Sequence, residues 1–249
     1  MIFWCIIFAI IGIVVILVII FGFPRKKKSP RKPNIEGLDS PEVAKAFEKM
    51  TNILPFRLLR KKVISKLKDF NPKGTLVDIG CGSGNLIIQI AESFPDLNLI
   101  GIDIASEILE FAKKRALDRS LGKRIEFKIG NVEKLPFSNE SIDFIISTFS
   151  LHHWVNPVNG FNEIHRVLKR DGTLLLFDFR RDSRRFFYGF LTFITKVVAP
   201  KALKEVHEPL GSIQSSYAYS EIFQLISQTS FQIPKVKTFL AWMFISIKK

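Results

Sequence analysis

The sequence predicts an α/β fold built on a seven-stranded, mostly parallel sheet with helices on both faces. Two observations carry that prediction. Between Thr75 and Phe179, short apolar runs alternate with longer stretches of helical period, as parallel strands joined by crossover helices do. The first of those runs leads into Gly80-Cys81-Gly82-Ser83-Gly84, three glycines at alternate positions ahead of a helix. Glycine there admits backbone angles closed to other residues and lets a ligand approach the main chain. The turn also delivers that ligand to the positive end of a helix.

The strands expected are 75–79, 97–102, 125–129, 142–148 and 173–179, with helices over 84–94, 105–120 and 158–169 between them. In such a sheet, ligands bind beyond the carboxyl ends of the strands. Ser40-Pro41-Glu42 marks a helix start for a helix to Met50, and a second, basic helix is expected over 56–70. On that second helix Leu58, Leu59, Val63, Ile64 and Leu67 form the apolar stripe, while Arg57, Arg60, Lys61, Lys62, Lys66 and Lys68 fill the other face. A helix over 220–229 and strands over 231–239 and 242–247 close the domain.

Residues 2–23 carry no charge and are nearly all Ile, Val, Leu and Phe. About 20 such residues span a bilayer core, and neither the basic start nor the small-residue cleavage site of a signal peptide is present. An uncleaved membrane anchor is expected over 1–24, then a stiff linker over 25–38 in which Arg25, Lys26, Lys27, Lys28, Arg31 and Lys32 alternate with prolines. Basic residues beside a span stay on the cytoplasmic side, so the domain at 39–249 should face the cytoplasm. The formal charge of +14 calls for an anionic partner. A membrane surface accounts for the basic cluster better than nucleic acid does. Cys5 and Cys81 sit too far apart in the expected architecture for a disulfide, which suits a reducing compartment.

The glycine spacing narrows the ligand. A dinucleotide turn reads G-x-G-x-x-G, whereas this one reads G-x-G-x-G with Asn85 in the third dinucleotide position. Asp78, two residues before Gly80, would repel a pyrophosphate and suit a cationic ligand. Asp78-Ile79-Gly80-Cys81-Gly82-Ser83-Gly84 resembles motif I of the class I S-adenosylmethionine (SAM)-dependent methyltransferases. Gly130-Asn131-Val132-Glu133-Lys134-Leu135-Pro136-Phe137, followed by Ser141-Ile142-Asp143-Phe144, is similar to the signature of the branch containing ubiquinone and menaquinone C-methyltransferases. The runs Thr148-Phe149-Ser150-Leu151-His152-His153-Trp154 and Arg166 to Leu174 also match that branch, the latter with Gly172 as a helix stop.

The resemblance implies a Rossmann-like core over 71–180, SAM as cofactor, and a site made of Asp78, Gly80, Cys81, Gly82, Gly84, Asp103, Ile104, Asn131, Val132, Thr148 and Phe149. In it Asp103 would accept the ribose hydroxyls and Ile104 would pack on the adenine. Asn131 stands where the family has aspartate facing the adenine amine; an amide oxygen can still accept that bond. Thr148 and Phe149 would lie at the methionine end. Methyl transfer needs alignment more than acid–base help. A base, where one is needed, would be His153 or His207, since both fall in segments expected to face the pocket.

After the fifth strand, Arg180, Arg181, Arg184 and Arg185 precede an apolar stripe of helical period, Phe186 to Val198. It is too short to span a bilayer but suits a membrane interface. Within 181–219, the resemblance implies a lid or insertion that builds the acceptor pocket. The combined reading is a membrane-anchored methyltransferase with a hydrophobic, lipid-like acceptor. Its rivals are an NAD-dependent oxidoreductase and a membrane-tethered SAM-binding protein without turnover.

Overall fold

The computed structural model describes residues 2–22, 30–33 and 40–249. Seven strands form one sheet in the order β3-β2-β1-β4-β5-β7-β6. They are β1 (Thr75–Ile79), β2 (Asn98–Asp103), β3 (Ile125–Ile129), β4 (Ile142–Thr148), β5 (Leu168–Phe179), β6 (Lys235–Thr238) and β7 (Trp242–Lys248). The first five run parallel; β7 lies antiparallel between β5 and β6. The strand chemistry explains the two faces. Side chains alternate along a strand, so Val77, Ile79, Ile145, Leu174 and Leu176 enter one core with Phe161, Ile164 and Ile222. Leu76, Phe144, Ile146, Leu175 and Phe177 enter the other with Val63, Leu67, Leu86 and Ile90.

The helices are α1 (Ile2–Gly22), α2 (Pro41–Thr51), α3 (Leu54–Lys68), α4 (Asn85–Ser93), α5 (Ser106–Asp118), α6 (Pro157–Val167), α7 (Arg185–Phe193), α8 (Lys201–Glu205), α9 (Leu210–Ser215) and α10 (Tyr219–Ile226). Helix α2 does not cover the sheet: its Val43, Ala44 and Ala46 pack on Ala105 and Ile108 at the start of α5 and on Leu203 of α8. It thereby bridges the core and the 181–219 segment across the carboxyl edge.

Several expectations change. Among the described residues, no helix is long and apolar enough to cross a membrane, so the spanning helix expected over 1–24 is not met among them. Arg25 to Lys28 of the basic linker lie outside the described residues. The part of the linker that is described is docked rather than unfolded. Arg31 donates to the carbonyls of Ser215 (2.5 Å) and His152 (3.0 Å) and stacks over Tyr217.

Gly172 is not the helix stop. Helix α6 ends at Val167, and Gly172 lies within β5 at a register irregularity, where a Cβ would meet the Lys169 carbonyl at 2.8 Å. The stripe from Phe186 to Val198 is helix α7 followed by one wider π-helical turn, Ile194–Val198. Leu191 is buried and Phe187 meets Trp242 edge-on, while Phe186, Phe190, Phe193, Val197 and Val198 remain exposed.

Candidate active site

Strands β1 to β4 end at one cavity. The glycine turn after β1 forms its floor. Gly80, Gly82 and Gly84 all have φ between +53° and +74°, a region costly for residues with a Cβ. Two of them also have no room: a Cβ on Gly80 would lie 2.4 Å from Ser150 Oγ, and one on Gly84 would lie 2.9 Å from the Ala112 Cβ. The turn is fastened to the next strand, since the Gly80 and Cys81 amides both donate to the Ile102 carbonyl. One residue later, Asp103 Oδ2 accepts from the Gly82 amide at 2.8 Å and Oδ1 from the Ala105 amide at 3.1 Å. The carboxylate is thus fixed in orientation at the cavity wall.

Gly80, Cys81, Gly82, Asp103, Ile104, Asn131, Val132, Thr148 and Phe149 all line the cavity. Gly84 does not; it opens α4 and allows Ala112 to pack close. Asp78 lies behind the turn. It is buried, and both its carboxylate oxygens lack a hydrogen-bond partner. Burial, and then the charge of Asp103, push its carboxyl well above the usual range. The same burial raises the Cys81 thiol, which is inert as a nucleophile in this state. Asn131 caps a turn: its amide oxygen accepts from the Glu133 amide at 2.9 Å. A carbonyl oxygen has a second lone pair, so one acceptor position stays available at the cavity edge.

Phe149 holds a left-handed φ of +54°, an uncommon, strained state for an aromatic residue. Its amide donates to the Phe177 carbonyl, and its ring sits against Phe56, Phe177 and Phe179. The paired histidines divide. His152 is buried, with Nδ1 2.6 Å from Asp178 Oδ1, and its backbone amide also donates to Asp178; it belongs to the frame. His153 lines the cavity. His207 does not: it is exposed at a left-handed turn, and its neighbours Glu208 and Pro209 face the cavity instead.

The sequence reading missed the wall drawn from α2, α3 and the 181–219 segment: Phe47, Met50, Phe56, Arg60, Glu208 and Ser212. A signal for part of it existed. Phe56, Leu59, Arg60 and Val63 fall at i, i+3, i+4 and i+7, so helical period places Arg60 with the inward side chains.

A family model described as a methyltransferase domain matches residues 70–229. The chain belongs to that methyltransferase family. It is 28% identical over 141 residues to the ubiquinone/menaquinone biosynthesis C-methyltransferase of Geotalea daltonii, covering 55% of this chain and 60% of that protein. It is 26% identical over 188 residues to the protein of the same name in Rickettsia bellii, covering 73% and 75%. The structure of a SAM-dependent methyltransferase from Aquifex aeolicus superposes with a TM-score of 0.63 over 84% of this chain and 98% of that one, at 20% identity. That likeness is one of fold.

The protein is a SAM-dependent methyltransferase with a Rossmann-like fold, and SAM is its cofactor. The chain's own chemistry fits that group. A turn of left-handed glycines with open space above Gly82 accommodates a close-lying ligand. Asp103 is held in one orientation at the cavity wall by two backbone amides, and the buried Asp78 carboxyl behind the turn has no partner.

Proposed function

We propose that the protein moves the SAM methyl group to a ring carbon of a hydrophobic, quinone-like acceptor at a membrane surface. The observation that carries the acceptor class is the aromatic cavity wall of Phe47, Phe56, Phe149, Trp154 and Phe179. Such a wall favours a flat, apolar ring system over a charged or sugar-like acceptor. The names of the Geotalea and Rickettsia relatives support the same chemistry.

In this reading Asp103 accepts from the ribose hydroxyls, and Ile104 and Val132 flank the adenine. Asn131 accepts from the exocyclic amine through its remaining lone pair. Gly80, Cys81 and Gly82 lie under the amino-acid part, with Gly84 supporting them from behind. Asp78 supplies negative charge toward the ammonium, and Thr148 and Phe149 border the reacting methyl. SAM brings an activated methyl group, so the chain contributes alignment and exclusion of water. Carbon methylation of a phenolic ring forms the C–C bond and then releases the ring proton. His153 is the cavity group placed to take it. The domain boundary stays at 39–249, with the core at 71–180. The segment 181–219 serves as the acceptor wall through Glu208, Pro209 and Ser212.

Membrane attachment is part of the proposal. It rests on the uncharged run 2–23, the basic residues after it, and the exposed apolar side of α7, which α1 approaches.

The test uses the full chain in detergent micelles with SAM and a chemically reduced, prenylated hydroquinone lacking the ring methyl. A product methylated on ring carbon supports the proposal. Methylation confined to water-soluble acceptors overturns the acceptor class. In a parallel flotation assay the chain should rise with lipid vesicles, and recovery in the lipid-free fraction overturns the attachment.

A further inference from the structure

Among the described residues, the charged side chains that line the cavity are Arg60, Asp103, Glu133 and Glu208. The first three are tied to backbone. Arg60 of α3 donates to the Thr51 carbonyl at 2.6 Å. It is half-buried; burial first, then the like charges of Arg115 and Arg57, lower its pKa to about 10. Asp103 accepts from the Gly82 and Ala105 amides, and Glu133 from the Asn156 amide at 2.9 Å. Glu208 is different. It belongs to the 181–219 segment, is 1% exposed, and accepts from the Ser212 hydroxyl in the first turn of α9. Ser212 lines the cavity as well. Burying a carboxylate is costly for a fold, and a wall position by itself needs no charge.

The turn that carries Glu208 is held from several sides. His207 adopts a left-handed φ of +61°, a strained state that the surrounding structure must impose. The Glu208 amide donates to the Leu203 carbonyl, the Gly211 amide to the His207 carbonyl, and the Leu210 amide to Thr195 Oγ1 at 3.0 Å. Helix α9 packs on the turn Leu151–His153, and Arg31 bridges the two through the Ser215 and His152 carbonyls. These ties join the Glu208 turn and the His153 turn into one section of the wall.

We propose that Glu208 is a catalytic residue that takes the proton of the acceptor's ring hydroxyl. The inference rests on the quinone-like acceptor. Each open ring carbon of a hydroquinone lies beside one hydroxyl, and ionising that hydroxyl makes the carbon nucleophilic. Glu208 takes the hydroxyl proton as the adjacent carbon bonds the cofactor's methyl, the sulfur keeping the electrons of the bond it loses. His153 then removes the proton from that carbon, and the ring oxygen recovers its proton from Glu208. One proton leaves in the balance, through His153. A carboxylate accepts several hydrogen bonds, so the Ser212 hydroxyl steadies Glu208 while a substrate hydroxyl docks on it.

The test uses the full chain in micelles and two acceptors. One is the prenylated hydroquinone; the other is the same molecule with the hydroxyl beside the carbon to be methylated capped as a methyl ether. Calorimetry without SAM reads binding, and product formation with SAM reads turnover. Wild type should bind the free hydroquinone about tenfold more tightly than the ether and methylate it about 100-fold faster. Glu208→Gln keeps an oxygen for Ser212 and should erase both differences, with SAM affinity within about twofold of wild type. Glu208→Asp, which retains a carboxylate, should restore part of each. Wild type that binds and methylates the two acceptors alike overturns the inference, with no variant having to fold. A glutamine variant that keeps the wild-type preference overturns it too. So does one that loses the same factor on both acceptors, because that marks a structural carboxylate. Wild type that methylates soluble acceptors and neither of these two overturns the acceptor class itself, and the inference falls with it.

Discussion

The two halves of the carboxyl edge are built on different principles. On the β1–β2–β3 side, the groups that face the cavity are held by the backbone. Asp103 accepts from two amides, the glycine turn donates to the Ile102 carbonyl, and Asn131 closes its own turn. On the β4–β5 side, the groups are held by side chains distant in sequence. Phe149 rests on Phe56, Phe177 and Phe179, and His152 on Asp178. The first construction fixes a polar ligand of constant shape. The second makes an apolar wall whose form depends on helices brought in from both ends of the chain. One half can therefore stay nearly constant while the other is free to suit an acceptor.

The largest expected effect falls on the side-chain half. Asp178 accepts from His152 Nδ1, the His152 amide and the Phe179 amide, and is almost wholly buried. Asp178→Ala leaves all three unsatisfied, so it should cost about 3–5 kcal/mol in denaturant unfolding. A loss below about 1 kcal/mol would show that this half is not framed as described. The next effect is on the backbone-held half. Asp103→Ala removes the fixed diol acceptor and should weaken SAM binding by roughly 100-fold in calorimetry, with acceptor binding unchanged. Comparable loss of both ligands would merge the two halves into one.

A smaller effect separates them from the other direction. Phe56→Ala opens the aromatic wall and should raise the acceptor KM by about tenfold while SAM affinity stays within about twofold. The smallest is a pH effect. The Asp78 carboxyl titrates well above the usual range, so the folded protein keeps a proton that the unfolded chain releases near pH 3.9. The stabilisation from that proton is full below the unfolded value and is lost as pH rises toward the folded one. Without cofactor, the stability difference between wild type and Asp78→Asn should therefore move against wild type with rising pH. SAM affinity should move the other way: it should rise with pH in wild type, as Asp78 ionises toward the ammonium, and be flat in the variant. Parallel profiles for the two proteins would remove Asp78 from the cofactor's surroundings.

Legibility follows the same division. Strands β1, β3 and β4 begin and end where the sequence pattern does: β1 and β4 are central and largely buried and so mostly apolar, while β3 at the sheet edge alternates Ile and Phe with Glu126 and Lys128. That Asp103, Asn131 and Gly80 to Gly82 lie at the cavity was readable because each is positioned by bonds within a few residues or to the adjacent strand. His207 was misjudged and Glu208 missed because a one-residue step around a left-handed turn decides which of them faces the cavity. Within the histidine pair, the tie of His152 to Asp178, 26 residues away, was not legible in the local pattern.

From the sequence alone came the alternation of elements, the glycine turn and its acidic neighbours, and the cofactor they imply. Each of these rests on backbone conformation and on patterns with a period shorter than one element. Tertiary structure alone decided that β7 enters between β5 and β6, that α2 bridges the core to the 181–219 segment, and that Arg60 comes to line the cavity. Those outcomes depend on which surfaces meet after the chain has folded back on itself. Burial and like-charge crowding of the kind that marks Arg60 exist only once they have met.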